Sequence, residues 1–191
     1  MKRIILLLIL TFSLQTLSKA DNISDFEIEG ISIGDSLLEH FSKRQIDNNE
    51  IKKSFKDQSI QGILFQDIDF IINYDAMQFV YKLSNMEIIN ITALTRIGED
   101  INECKVKMDN VILDLSNIFS NTERDKAERN HPADTTGKSK VISSYFYFEN
   151  TDFVAVECEQ WSKHMGHPNV LKVSLRTRIY NDILRKEYNE E

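Results

Sequence analysis

Residues 101–119 read Ile-Asn-Glu-Cys-Lys-Val-Lys-Met-Asp-Asn-Val-Ile-Leu-Asp-Leu-Ser-Asn-Ile-Phe. Ile101, Cys104, Met108, Val111, Ile112, Leu115, Ile118 and Phe119 recur at three- and four-residue steps, which draws one apolar stripe along a helix of about five turns. Runs of strand character flank it. Upstream, Met77–Leu83 and Glu87–Ile97 are rich in β-branched and aromatic residues and are joined by Ser84-Asn85, the signature of an antiparallel hairpin. Downstream, Val141–Phe148, Asp152–Gln160 and Val170–Thr177 read as three more strands, and a helix from about Ile179 to Lys186 ends the pattern. Strands and helices do not alternate regularly, so a parallel α/β fold is excluded. The expectation is an α+β domain: a mostly antiparallel sheet with one long helix and shorter helices packed on it.

The first third of the chain is less regular. Phe26, Ile28, Ile31 and Ile33 suggest one short strand. Gly34-Asp35 then turns into a helix capped by Asp35, with Leu37, Leu38 and Phe41 on its buried face. A second short helix is expected around Ile51 and Phe55, and a strand near residues 63–72 that carries Asp67 and Asp69 on one face. Between the long helix and the later strands, Asn121–Lys140 is polar, contains Pro132 and Gly137 and has no apolar period, so it reads as a long mobile loop.

Composition limits the function classes. The 191 residues carry 23 Lys+Arg against 30 Asp+Glu, for a net charge of −7, and include 6 Gly, 2 Pro and 2 Cys. That is the make-up of an ordinary globular protein, not of a collagenous or disordered one. Lys2 and Arg3, the apolar run Ile4–Leu10 and Ser18-Lys19-Ala20 together resemble a secretory signal peptide cut before Asp21. The expected organisation is therefore a signal peptide at 1–20 and a single domain at 21–191. Losing Lys2, Arg3 and Lys19 and no acid takes the charge from −7 to −10. Such a surface repels nucleic acid and anionic lipid, and no later segment reaches membrane-spanning length. The abundance of Ile and Asn points to AT-rich coding and hence to a bacterial periplasm, where Asn22-Ile-Ser24 and Asn90-Ile-Thr92 would carry no sugar.

Cys104 lies on the helix stripe, and Cys158 shares a strand face with Val154 and Val156, so both thiols point into one core. In an oxidising compartment they form a natural disulfide pair. Two buried free thiols are the alternative, and redox chemistry lacks the Cys-x-x-Cys spacing.

Other strings carry less. Gly30-Ile-Ser32-Ile-Gly34 has the letters of a nucleophile elbow but precedes any sheet that would support one. Gly137-Lys-Ser139 ends like a phosphate loop, yet Pro132 stands where the first Gly belongs. His164-Met-Gly-His167 is the one metal-like pair, in a loop broken by Gly166 and Pro168. Trp161 is placed beside the Cys158 strand, closing the core. In Tyr145-Phe-Tyr-Phe148 two rings must face away from the core, where they meet a second helix layer or line a binding surface.

Phe26–Ser42, Cys104 on its helix, and Tyr145–Phe148 ahead of Val156-Glu-Cys-Glu-Gln-Trp161 resemble a family of small exported proteins of marine alphaproteobacteria with no activity attached to it. The likeness lies in turn, core and Cys positions, and implies export, one domain and paired Cys without implying a reaction. The opening Ile-x-Ile-Gly-x-Ser is also similar to small outer-membrane-assembly lipoproteins, whose lipidated Cys is absent here. The expected function is a non-enzymatic periplasmic binding or envelope-associated domain, with an unknown protein or small molecule as partner and no cofactor. The alternative is a hydrolase, using Ser32 with His131, His164 or His167 as base, or a metal held by His164 and His167. Intact mass of the periplasmic protein should show a chain beginning at Asp21 and two mass units below its reduced form; a full-length chain with two free thiols would overturn the compartment.

Overall fold

A computed structural model describes residues 22–52, 55–66 and 68–189; the expected leader at 1–20 and Asp67 lie outside them. The elements are β1 (Glu27–Ile28), β2 (Ile31–Ser32), α1 (Leu37–His40), α2 (Lys43–Asn49), β3 (Ile60–Gln66), β4 (Ala76–Lys82) and β5 (Ile88–Ile97). After these come α3 (Ile101–Ile118), β6 (Glu123–Asn130), β7 (Lys140–Tyr147), β8 (Phe153–Gln160), β9 (Asn169–Arg176) and α4 (Arg178–Asn189). Seven strands form one sheet in the order β3-β4-β5-β9-β8-β7-β6, every neighbouring pair antiparallel. This is the α+β architecture expected from the sequence. No helix among the described residues is long and apolar enough to cross a membrane.

The order is that of two meanders joined at β5 and β9, with α3 as the crossover. Four strand spacings, about 19 Å, separate β5 from β6. The 18 residues of α3 span about 27 Å, enough to cross that distance obliquely. Asp100 caps the helix by accepting the Asn102 N–H at 2.8 Å. Its stripe, with Cys104, Met108 and Leu115 buried, lies on Val154, Val156, Leu171 and Val173 of the sheet. Cys104 and Cys158 form a disulfide with Cα atoms 6.0 Å apart and 54 residues of separation. Phe119 then turns the chain downward, its ring 5.9 Å from Phe146, 5.3 Å from Phe148 and 5.3 Å from Phe26.

The rest of this core face is covered by the irregular first third, where the sequence expectations need correcting. Residues 26–33 are not one strand but a two-stranded hairpin, turned at Glu29 and Gly30 with φ of 53° and 75°. Two successive positive φ values suit a tight hairpin turn, and only its second position has a glycine. Ser36, not Asp35, caps α1, accepting the Leu38 N–H, and Leu38 is exposed. The second helix comes earlier than Ile51: Ser42 and Gln45 form a capping box at its start, while Ile46 is its one buried residue, so no apolar period announced it. The strand expected at 63–72 ends at Gln66, and Asp69 sits in the turn beyond it. Phe41 stacks on Phe65 at 4.4 Å and closes this end of the core.

The largest correction concerns Asn121–Lys140. It is not a long loop. Glu123–Asn130 is an eight-residue edge strand paired in unbroken register with β7, and only residues 131–139 turn the chain. The strand is exposed at every position, so neither face supplies an apolar alternation from which sequence could recognise it.

The bridge ties the first turn of α3 to β8. In a chain-entropy model a loop of this size contributes about 4 kcal/mol. Replacing both cysteines by Ala should lower urea-unfolding stability by about that amount, and the wild type in reductant should fall toward the same value; a change within ~0.5 kcal/mol would show the bridge to be energetically idle.

Candidate functional site

The sheet's second face is covered only in part. At one end α4 lays Tyr180 on Ile60, Val80 and Ile89, with Ile183 and Leu184 packed beside it. The remainder carries the side chains that alternate with the core. These are Tyr145 and Tyr147 on β7, Phe153, Ala155, Glu157 and Glu159 on β8, Lys172, Ser174 and Arg176 on β9, and Asn90 and Thr92 on β5.

Glu157 is the centre of this face. It is 2% exposed, and a lone carboxylate that far from water would cost several kcal/mol. Arg176 Nη2 lies 2.8 Å from Oε2, Arg129 Nη2 3.2 Å from Oε1, and the Ser143 hydroxyl donates to Oε1 at 2.9 Å. Burial pushes the Glu157 carboxyl up, but Arg176, the Ser143 hydrogen bond, Arg129 and Lys172 outweigh it and hold it below its ordinary value. In register, Glu157 and Arg176 flank the pair Ala155 and Ser174, so their ion pair arches over two small residues that are fully buried. Beyond them Thr92 and Ser174 share a 3.0 Å hydrogen bond, and the Asn90 amide donates to Thr92.

Next to this floor is a groove of about 690 Å³, between the β7–β8–β9 face and α4. Tyr145, Tyr147 and Phe153 form its aromatic wall, with ring centroids 5.4–5.8 Å apart. Tyr145 and Tyr147 are the two outward rings of the aromatic run; they face away from the core, as expected, and stand across a groove from α4. Arg176 lies over the Phe153 ring at 5.7 Å. Arg178 and Arg185 of α4 complete the opposite side. Arg178 pairs loosely with Asp182 at 3.6 Å, and Arg185 makes no ion pair among the described residues. Burial pushes the Tyr147 phenol above its ordinary value; Tyr145 and Asp125 add to this and Arg185 opposes it.

His131, His164 and His167 sit at the other end of the sheet, in the β6–β7 and β8–β9 turns. Asp134 is 4% exposed and gathers the turn around its carboxylate. Oδ2 accepts the Ser139 hydroxyl at 2.6 Å, the Ser139 N–H at 2.9 Å and the Ser162 hydroxyl at 3.0 Å, while Oδ1 accepts the Thr136 hydroxyl and N–H. The Ser139 and Thr136 hydroxyls in particular hold its carboxyl far below the usual range. His164 places Nδ1 2.9 Å from Ser162 Oγ and Nε2 3.4 Å from Asp134 Oδ1. Serine, histidine and aspartate are thus together, but not as a relay. Ser162 Oγ and the imidazole both face the one Asp134 carboxylate, rather than standing in line with the imidazole between them, so this is a staple between the β6–β7 and β8–β9 turns. Trp161 lies against His131 at 3.9 Å between centroids and meets His167 edge-on at 4.9 Å. His131 Nδ1 accepts the Ala133 N–H, and its Nε2 faces Glu159 at 3.6 Å.

His164 and His167 are therefore turned to different partners, Asp134 and Trp161. The one trio of His, Cys, Asp or Glu donors within 4.8 Å among the described residues is Asp35, Glu39 and His40, where Asp35 Oδ2 already accepts the Ser32 N–H and faces His40 at 2.9 Å. Ser32 is half-buried in β2 with its hydroxyl toward the Phe26 carbonyl at 3.5 Å. Ser139, in the phosphate-loop-like string, serves Asp134. Sequence reading missed Glu157, Arg176, Arg129 and Arg185. The alternation that puts Cys158 inward places Glu157 outward, but its burial and partners follow from the strand order.

No protein-family model, curated protein or solved structure matches the chain. The functional reading therefore rests on the site's own geometry.

Because the Glu157 carboxyl is held below its ordinary 4.5, its stabilising contribution is complete above that pH and is lost as pH falls through the lower folded value. Thermal melts from pH 7 down to pH 3 should therefore fall less steeply below about 4.5 for Glu157→Gln than for the wild type; parallel curves would show that the network does not titrate with folding.

Proposed function

We propose that the protein is an exported, non-enzymatic binding domain whose ligand is a small anion with a flat ring, held in the groove between α4 and the aromatic wall of β7 and β8. The carrying observation is the convergence of Tyr145, Tyr147 and Phe153 with Arg176, Arg178 and Arg185 in a chain of net charge −7. Three half-buried rings on a solvent-facing strand pair offer stacking area. Guanidinium groups beside them offer directed charge-assisted hydrogen bonds to a carboxylate or similar anion. The roles divide by existing partners. Arg176 is committed to Glu157 and Phe153 and fixes the floor, whereas Arg185 has no ion pair among the described residues and Arg178 has an exposed one, with Asp182. The leader-like segment and the disulfide support a periplasmic address.

The reading is tested with 1-naphthoate as the probe, followed by backbone NMR of the intact protein. Shifts should cluster on Tyr145, Tyr147, Phe153 and α4. Arg185→Glu should weaken binding roughly tenfold without changing the melting temperature, since one charged hydrogen bond is removed from an exposed position. Shifts centred on Trp161 and His167 instead would move the site to the other end of the sheet, and naphthoate binding unaffected by Arg185→Glu would sink the assignment.

A further inference from the structure

The two edges of the seven-stranded sheet are treated differently. β3 is blunted: the Ile51 N–H donates to the Gly62 carbonyl at 2.9 Å, Glu50 forms a bridge to Ile63, and the Gln61 amide reaches the Ile51 carbonyl. Among the described residues β6 is paired on one side only, to β7, over all eight of its residues. Its other side runs for about 27 Å with neither proline nor bulge to interrupt it; within it the Lys126 N–H donates to Asp125 Oδ1 at 2.7 Å, a local bond that strand pairing there exchanges for one across the seam.

Edge strands are commonly protected by charge. Here the order of the charges matters. Arg124, Asp125 and Lys126 run plus, minus, plus up to Ala127; Glu128, Arg129 and Asn130 run minus, plus, neutral beyond it. If a second copy of the strand is laid antiparallel with Ala127 opposite Ala127, Lys126 faces Glu128, Asp125 faces Arg129 and Arg124 faces Asn130, each pair occurring twice. Every charged pair is then opposite in sign, and the smallest residue sits on the two-fold axis. Moving the axis to Lys126 opposes two lysines, and moving it to Asp125 opposes Arg124 and Lys126. A parallel, in-register pairing stacks like on like throughout. Directly opposed like charges destabilise a strand pair and unlike charges stabilise it.

We propose that β6 is a homodimerisation edge, through which two copies join antiparallel about Ala127 into one continuous fourteen-stranded sheet. The sequence of the edge repels neighbours in other registers and accepts a copy of itself in this one. Lys126 and Glu128 make no ion pair among the described residues, and both are exposed, so they are available for the contact. Arg129 is already 3.2 Å from Glu157 but keeps its side chain 46% exposed, which lets it serve Asp125 of the second copy as well. A two-fold axis perpendicular to the sheet puts both polar faces on the same side. The two β7 strands then lie three strand spacings, about 14 Å, apart, so the aromatic walls of two grooves face one surface. The dimer does not depend on the groove's ligand, and its test is independent of the naphthoate measurement.

Sedimentation equilibrium of the intact protein in low salt should give a dimer. Lys126→Glu makes two like-charged pairs and should raise the dimer dissociation constant at least ~10-fold with an unchanged circular dichroism spectrum. Lys126→Glu combined with Glu128→Lys restores opposite charges and should restore the dimer. Because both native cysteines are bridged, Ala127→Cys introduces a single free thiol, and under mild oxidation it should give a covalent dimer where Asp125→Cys does not. A wild type that stays monomeric at its highest soluble concentration, a dimer indifferent to Lys126→Glu, or cross-linking through Asp125→Cys in preference to Ala127→Cys would each overturn the proposal.

Discussion

The structure depends on α3 being held across the middle of the sheet. The helix carries the chain from β5 to the far edge, and only because it does so can β9 return to lie beside β5 and close two meanders into one sheet. Its apolar stripe supplies the driving force for that crossing, and the Cys104–Cys158 bridge fixes its position over β8. Once one face of the sheet is committed to α3 and to the α1–α2 region, among the described residues the other face has α4 alone to cover it. Its character follows from that shortage.

A partly covered sheet face must satisfy its polar groups without a helix layer. Here the side chains do it themselves. Arg176 reaches diagonally across Ser174 and Ala155 to Glu157, and Lys172 reaches Glu159, so long cationic side chains roof a row of small residues. The attraction between buried Glu157 and two guanidiniums offsets its desolvation, which makes removal of a single partner costlier than the pair's net worth. This arrangement gives a rigid floor, and a rigid floor is what allows the neighbouring rings and α4 arginines to be presented as a preformed groove rather than a collapsing one. The Asp134 staple performs a similar task at the opposite end, where one carboxylate holds two turns in register.

Legibility followed burial. The α3 stripe, the β4–β5 hairpin, the three strands after residue 140 and the inward direction of both cysteines were readable because each element has one apolar side, and periodicity reports sides. The α1–α2 region was misread because a four-residue helix and a seven-residue helix with one buried residue have no period to detect. Asp35 and Ser36 are both competent caps, and local sequence does not choose between them. The site was legible only as an outward-facing pair of tyrosines.

The sequence by itself determined the α+β class, the long helix and the inward direction of Cys104 and Cys158, because those depend on which residues avoid water. Tertiary structure alone decided three things. It made the fully polar segment Glu123–Asn130 a strand, since β7 offered it backbone partners and pairing through the main chain needs no side-chain pattern. It brought Arg176 and Arg129 to Glu157, since β8 lies between β9 and β7. It also set Arg178 and Arg185 against Tyr145, Tyr147 and Phe153, since α4 returns over the face that α3 leaves open. Each depends on which strands become neighbours, and strand order is a property of the whole chain rather than of any local stretch.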